Sequence, residues 1–441
     1  MSITDERVAS SCSTPAPAPP PSPPPVNVRA SVFFDGTGNN RTNTQQRIDQ
    51  TWTYRLLPGV IAGSYENDFT NVSKLERYVL PDATVDHSFS LYVEGIGTQS
   101  GADDVIEGMA FGTGITGVDA KVESAISQIV RNIRRRVRTN VVINNLYLDA
   151  FGFSRGAAAA RFFFYETMDA RTKIQVRLQN LGYTVNNVTA KFAGLFDTVA
   201  SYGLSHTDDT ADLHLDAVHH AEKVIHLAAA DEHRKNFPLT NINSCSGVGT
   251  QWFLPGVHSD IGGGYRTYDT EEDLQILDFD DTSGIPVVRE MIARKFRQEK
   301  ARLIDEGWYQ ESNFSTDTSW NELKVTREGI SNKYSRIPLH IMAIKAQEKG
   351  LTFSGDLLSR ETIDPRLAAV KTEIDQYIAA HSGVSSSQPS HWLDSRPTLQ
   401  NLRRRFLHYS SFYGSAGGSN EPNFVPDNPM TGVRTRVIHN G

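Results

Sequence analysis

The pentapeptide Gly152–Gly156 has the residue types and spacing that nucleophilic chemistry requires. It reads Gly-Phe-Ser-Arg-Gly, follows the apolar run 146–151 and leads into four consecutive alanines. A strand, a sharp turn and a helix in this order place the Ser154 hydroxyl at the top of a sheet and at the start of a helix. There the hydroxyl can attack an acyl carbon, and nearby backbone N–H groups can receive the oxyanion. A serine that only caps the helix after a tight turn is the alternative interpretation.

A serine nucleophile needs a base and a carboxylate, and the chain offers both. Asp197 follows the apolar run 190–196, and His258 follows the run 251–254. The base removes the serine proton, and the carboxylate fixes the tautomer of the imidazole. Ser154, Asp197 and His258 also occur in the chain order that α/β-hydrolases use. We therefore expect these three residues to form a catalytic triad.

Other residues compete for two of these roles. Asp231 also follows an apolar run and is the alternative acid, and Asp197 itself could simply cap a turn. His226 lies within an apolar run, which predicts a hydrogen-bonded core residue. His233 has charged neighbours on both sides, which predicts a solvated turn. His258 is favoured because it follows a strand and precedes three consecutive glycines.

Two backbone N–H groups are needed to bind the oxyanion. One is expected from Arg155, the residue after the nucleophile. The other is expected from the early glycine-rich loop at Gly36 and Thr37. Asp35-Gly36-Thr37 also occurs in phosphatases of the haloacid dehalogenase type. Their nucleophilic aspartate would stand two residues earlier, where this chain has Phe33.

Composition restricts the function further. The chain has 441 residues, of which 39% are hydrophobic, and a formal net charge of −7. This charge argues against nucleic acid as a partner. The sequence has no nucleotide-binding P-loop motif and no zinc-ligand pattern, so we expect neither a cofactor nor a metal. The N-terminal residues do not read as a secretory signal, and no apolar run is long enough to span a membrane.

Apolar runs that alternate with helical stretches predict the fold class. The expectation is an α/β-hydrolase-like fold, with a mostly parallel central sheet flanked by helices and with helical insertions. We expect a disordered Pro-rich tail at 1–26 and a catalytic core at 27–265. A mostly helical insertion at 266–335, acting as a lid or membrane-contact region, and C-terminal helices and loops at 336–441 would complete the domain. The tail could also be a docking arm for a partner.

Six motifs in order resemble one family, the type VI secretion lipase effectors of the Tle1-like class, which contain the DUF2235 domain. The motifs are Phe33–Asn40, Asn71–Lys74, Glu94–Thr98, Gly152–Ala157, Gly194–Val199 and Pro255–Tyr265, with a weaker similarity at Pro338–Ala343. The resemblance covers residues 28 to 265. Its catalytic serine, aspartate and histidine correspond to Ser154, Asp197 and His258.

The resemblance implies a phospholipase A that hydrolyses acyl esters of bacterial glycerophospholipids. It also implies synthesis in the bacterial cytoplasm and export by a type VI apparatus to the target cell's envelope. A secretion spike protein and a cognate immunity protein would be the partners, and the enzyme would contact the membrane peripherally. A soluble carboxylesterase or thioesterase, and a non-catalytic interaction module, are the alternatives.

Apolar side chains before the helix at 117 could contact lipid or form a lid. Such side chains more often belong to the core. The candidates are Trp52, Tyr54, Leu56, Leu57, Ile61, Met109, Phe111 and Ile115.

Overall fold

The structure is a computed structural model. It describes residues 23–56, 63–105, 114–170, 173–200, 210, 212–245, 247–278, 285–317, 322–383, 392–411 and 436–441. The predicted tail at 1–26 lies almost entirely outside these ranges, as do Leu57, Ile61, Met109 and Phe111 and the side chains of Leu56 and Ile115.

The strands, in chain order, are β1 (Val26–Phe34), β2 (Val79–Leu80), β3 (His87–Val93), β4 (Ile143–Phe153), β5 (Val185–Phe196), β6 (Val224–Ala229), β7 (Leu239–Thr240), β8 (Gly249–Leu254), β9 (Asp269–Asp278), β10 (Phe314–Asp317), β11 (Glu322–Ile330), β12 (Thr352–Phe353) and β13 (Ile438–His439).

The α-helices, in chain order, are α1 (Arg41–Ile48), α2 (Trp52–Leu56), α3 (Gly63–Glu66), α4 (Asn71–Tyr78), α5 (Val118–Arg136), α6 (Arg155–Phe164), α7 (Ile174–Gln179), α8 (His258–Gly262), α9 (Pro286–Asp305), α10 (Arg336–Gln347), α11 (Asp356–Arg360), α12 (Ala368–Ala380) and α13 (Pro397–Phe406).

Six strands form a central sheet in the order β3-β1-β4-β5-β6-β8. Every neighbouring pair is parallel. Parallel strands end at the same edge of a sheet, so the loops after β1, β4, β5 and β8 meet there. The prediction of a parallel α/β sheet is confirmed, and this shared edge carries the predicted site.

Both faces of the sheet are buried, which explains why its strands read as nearly continuous apolar runs. On one face, Val32 and Phe34 pack with α5 and α6 in one core cluster. On the other face, Phe33 and Phe151 stack with ring centroids 4.5 Å apart. This second cluster includes Leu339 of α10. Side chains therefore alternate between two layers of helices.

The region predicted as a mostly helical insertion, 266–335, needs correction. It contains the 20-residue helix α9, but also a three-stranded antiparallel sheet in the order β10-β11-β9. Along β11 the side chains alternate between partly and fully buried, and Leu323 and Val325 enter the core. Most of the remaining positions of β9 and β11 are charged or polar, which is why this part of the sequence resembles a solvated helical segment.

The segment 436–441 returns to the main domain. Its strand β13 pairs in parallel with β7 through Ile438–Leu239 and His439–Thr240. The Asn440 side chain accepts hydrogen bonds from the side chains of Asn241 and Asn243. These contacts hold the segment against the loop that follows β6.

Candidate active site

Ser154 occupies a strained turn between β4 and α6. Its φ of 59° and ψ of −129° lie outside the regions that L-residues ordinarily adopt. The flanking glycines permit this turn. A Cβ on Gly152 would lie 2.2 Å from the Gly156 carbonyl oxygen, and a Cβ on Gly156 would lie 2.3 Å from the Asp35 carbonyl oxygen. The turn therefore has the geometry of a nucleophile elbow and packs against the loop after β1.

Asp197 and His258 form a buried hydrogen-bonded pair. The distance from His258 Nδ1 to Asp197 Oδ2 is 2.6 Å, and both side chains are nearly inaccessible to solvent. Burial lowers the pKa of His258, and the Asp197 hydrogen bond and charge offset this only in part. With Nδ1–H donated to the carboxylate, Nε2 is left to accept a proton. This is the arrangement of a general base and its orienting acid.

Ser154 adjoins this pair through the backbone. Its N–H donates to the carbonyl of Phe196, the residue before Asp197, at 3.0 Å. The ring of Phe153, the residue before the serine, packs on the His258 ring with centroids 4.6 Å apart. The structure thus brings the three predicted residues to one edge of the sheet.

Arg436 is the main residue that sequence reasoning missed. Its guanidinium contacts both carboxylate oxygens of Asp197, at 2.6 and 2.9 Å. Burial disfavours the ionised form of Asp197, but Arg436 and His258 outweigh this and hold its pKa well below the usual range. No spacing motif points to Arg436. Its only signal is the general rule that a buried carboxylate needs a charged partner.

The prediction of a solvated turn around His233 is wrong for the neighbouring residues Glu232 and Arg234, which are buried. Glu232 is fully buried and binds Arg234 through two side-chain hydrogen bonds of 2.9 Å. Burial opposes ionisation, but Arg234 holds the pKa of Glu232 at about 2. Glu232 also accepts the backbone N–H of His258 at 3.2 Å, and the Phe237 ring meets the His258 ring at 71°. The turn at 231–237 therefore packs directly against His258 and lines the candidate site.

Two of the three rivals of the predicted triad, Asp231 and His226, have other partners. Asp231 accepts hydrogen bonds from Arg403 at 3.1 Å and from the Gly256 backbone N–H at 2.6 Å. His226 is a hydrogen-bonded core residue, as expected. It accepts the Thr198 N–H at 3.0 Å and bonds Gln251 at 2.9 Å.

Residues of the segment after α13 hydrogen-bond to α8, the helix that begins with His258, and to Glu232. Asp260 accepts the Val257 N–H and binds the His408 side chain at 2.8 Å. Ser410 donates to Glu232 at 3.2 Å. The segment after α13 therefore braces the elements that carry the base.

The loop after β1 lies beside the elbow. The Arg155 side chain donates from Nε to Thr37 Oγ1 at 2.8 Å. The Gly36 N–H is engaged by the Asp35 carboxylate at 2.8 Å. That carboxylate also accepts hydrogen bonds from Thr70 and Tyr92, and burial raises its pKa to about 6. Of the two predicted loop donors, Gly36 is therefore already engaged through its N–H, and Thr37 is the other.

The described residues contain neither a cluster suited to a metal ion nor a helix suited to spanning a membrane. No group of three or more His, Cys, Asp or Glu residues within them could hold a metal ion. No helix in the described part of the chain has the length and apolar character to cross a membrane. Of the lipid-contact candidates, Trp52 is 76% exposed, and Tyr54 packs its ring on Tyr65.

Comparison with known proteins adds a family and a fold. A family model for the catalytic domain of the Tle1-like phospholipase effectors of type VI secretion matches residues 29–171 and 165–286. The structure of the Tle1 effector bound to the VgrG spike superposes with a TM-score of 0.62 and 21% identity, over 95% of this chain and 94% of that chain. The crystal structure of an uncharacterized protein from Pseudomonas aeruginosa gives a TM-score of 0.43 and 18% identity, over 81% and 51% of the two chains. No curated protein matches the sequence.

Proposed function

Because this chain belongs to the Tle1-like family of type VI secretion phospholipase effectors, we propose that it is a serine-dependent phospholipase A with Ser154, Asp197 and His258 as its triad. The observation that carries the proposal is the 2.6 Å hydrogen bond between the His258 ring and the Asp197 carboxylate, beside a serine on a strained elbow. The substrate is an acyl ester of a bacterial membrane glycerophospholipid.

In the first half of the reaction, the Ser154 hydroxyl attacks the ester carbonyl while His258 Nε2 takes its proton. The backbone N–H groups of Arg155 and Thr37 bind the oxyanion of the tetrahedral intermediate. His258 then gives its proton to the departing lysolipid alcohol, which leaves an acyl-enzyme. Throughout these steps Asp197 remains ionised and holds the imidazole in one tautomer.

In the second half, a water molecule attacks the acyl-enzyme. His258 takes a proton from this water and returns it to the serine, so that a fatty acid is released and the enzyme is restored. All proton transfers are handled by one imidazole. These steps use side chains and backbone N–H groups of the protein, together with water.

Delivery by a type VI apparatus provides the route to the substrate. The Tle1 effector of known structure is bound to the VgrG spike. We infer a spike protein as a partner of this chain too, and an immunity protein that protects the producing cell. The site of action is the envelope of the target cell, which the enzyme contacts from the surface.

Product analysis tests the proposal. The protein and its Ser154→Ala variant are incubated with vesicles of phosphatidylethanolamine and phosphatidylglycerol whose sn-1 and sn-2 acyl chains differ, and products are identified by mass spectrometry. We expect lysolipid and one fatty acid from the wild type, and a loss on the order of 10⁴-fold or more in the variant. Equal release by the folded Ser154→Ala protein would disprove the serine assignment. Turnover only of short, water-soluble esters would indicate a soluble esterase instead.

A further inference from the structure

The charge of Asp197 is satisfied by a residue 239 positions away in the chain. Oδ1 accepts hydrogen bonds from the Ala229 N–H at 2.8 Å and from Arg436 Nη1 at 2.6 Å. Oδ2 accepts from His258 Nδ1 at 2.6 Å and from Arg436 Nη2 at 2.9 Å. Two carboxylate oxygens offer about four acceptor positions. The guanidinium therefore fills half of the hydrogen-bonding capacity of this carboxylate.

The Arg436 side chain is itself held in one orientation. It is fully buried, its Nε donates to the Phe237 carbonyl at 2.8 Å, and its Nη1 also donates to the Ala229 carbonyl at 3.3 Å. Phe237 is the residue whose ring packs against His258. The planar guanidinium of Arg436 thus links Asp197 to Phe237, which packs beside His258. It does so with the bidentate geometry that arginine alone provides.

We propose that Arg436 is a positioning residue of the triad, which keeps Asp197 ionised and aimed at His258 and keeps His258 neutral at rest. This inference rests on the proposed function for its catalytic consequence. It adds to the triad a residue delivered by the segment 436–441.

The physical reason is the cost of burying a lone carboxylate. A fully buried Asp197 facing a neutral imidazole would be an uncompensated charge. Without the guanidinium, the pair would lower its energy by taking up a proton, which gives an imidazolium–carboxylate ion pair. A protonated His258 cannot accept the proton of Ser154. Arg436 supplies the compensating charge permanently, so the proton is not needed.

The other charged groups around the pair do not fill this role. Glu232 and Arg234 face His258 from the loop after β6, but they compensate each other as an ion pair. Asp260, on the helix of His258, is bound to His408. His226 lies behind Asp197, and burial lowers its pKa to about 3, so it stays neutral. Arg436 is therefore the cation that balances Asp197.

The test compares three variants. Arg436→Gln removes the positive charge. Arg436→Lys keeps the charge but cannot contact both oxygens of Asp197 with a planar guanidinium. Arg327→Gln is the matched control, because Arg327 is also buried and bidentate to a carboxylate, Glu271, at 2.7 and 3.1 Å. For each folded protein, the His258 ring is titrated by NMR in histidine-labelled samples, with a His258→Gln spectrum as the assignment. kcat and KM on phospholipid vesicles are measured over the same pH range.

Removing a cation favours protonation of its neighbours, so Arg436→Gln should raise the pKa of His258 by about one unit. The acid limb of kcat/KM should move to higher pH with it, and kcat at pH 7 should fall by about 10²-fold. Arg436→Lys should titrate like the wild type but with kcat about 10-fold lower, because one amine cannot hold both oxygens. Arg327→Gln should lose stability while keeping the wild-type titration.

A folded Arg436→Gln protein with the wild-type titration and kcat would overturn the assignment. If that variant does not fold, unchanged kcat in Arg436→Lys would overturn it instead. The proposed function is judged separately, from the dependence of wild-type turnover on Ser154. If the proposed function failed, the effect of Arg436 on the titration of His258 would still test its electrostatic role.

Discussion

At the scale of single residues, the burial of His258 should set the pH range of the proposed reaction. Burial lowers its pKa below the ordinary imidazole value of about 6.5, and the bond to Asp197 offsets only part of this shift. A lowered pKa means that the base stays neutral, and therefore active, at more acidic pH. We expect the acid limb of kcat/KM on vesicles to have its midpoint below pH 6.5. A midpoint at or above that value would contradict the proposed burial of the base in the working enzyme.

Variants of Asp197 and Asp231 can distinguish a catalytic carboxylate from a structural one. Asp197→Asn should fold but lose on the order of 10⁴-fold in kcat, because an amide no longer selects the reactive tautomer of His258. Asp231→Asn instead leaves Arg403 without its charged partner, which should reduce the free energy of unfolding. Its folded fraction should turn over substrate like the wild type. Measuring kcat and urea unfolding on both variants decides the roles, and the reverse pattern would assign the acid to Asp231.

At the scale of elements, the elbow depends on close approach of two backbones. Gly156→Ala would place a methyl group 2.3 Å from the Asp35 carbonyl oxygen and 2.5 Å from that of Phe34. Neither β1 nor α6 can move aside cheaply, so we expect a loss of about 3 kcal/mol or more in unfolding free energy.

A second glycine serves as the control for this prediction. At Gly355 a Cβ would meet nothing within 4 Å, and φ is −55°, so Gly355→Ala should be neutral or slightly stabilising. Urea unfolding of both variants, followed by circular dichroism, makes the comparison. Equal stability of the two would show that the elbow is looser than these contacts imply.

The elements of the central sheet could be predicted because most of its strands end in a largely apolar run that is followed by a polar motif. The apolar run 190–196 before Asp197 lies in β5 (Val185–Phe196), and the run 251–254 before His258 lies in β8 (Gly249–Leu254). The three-stranded sheet at 266–335 could not be predicted in this way. Its strands carry charges on the exposed face, and its partners are set by tertiary contacts.

The convergence of the three candidate residues could be predicted from the same strands. Ser154, Asp197 and His258 each follow a recognisable strand, so their convergence follows from a parallel sheet. Glu232 and Arg234 were misread because a charged run usually lies in solvent, whereas here an ion pair satisfies both residues. Arg436 has no apolar run before it and no partner nearby in sequence, so only the fold reveals its contact with Asp197.

At the scale of the whole molecule, the contribution of the Pro-rich tail can be tested by truncation. Residues 23–25 precede β1 at Val26 and are partly or fully exposed. Removing residues 1–22 should therefore leave vesicle hydrolysis and thermal unfolding unchanged. A truncated enzyme that hydrolyses lipid normally but no longer inhibits rival cells would assign the Pro-rich stretch to delivery. Loss of hydrolysis itself would show that the stretch contributes to the catalytic domain.

The long separation between Asp197 and Arg436 also matters during synthesis. The ribosome makes proteins from the N-terminus, so the nucleophile, the acid and the base all emerge well before the guanidinium that balances the acid. A nascent chain would hold the triad residues without the cation that keeps the base ready. If the proposed role of Arg436 holds, the producing cell would meet the fully active enzyme only after β13 has been made and has docked beside β7.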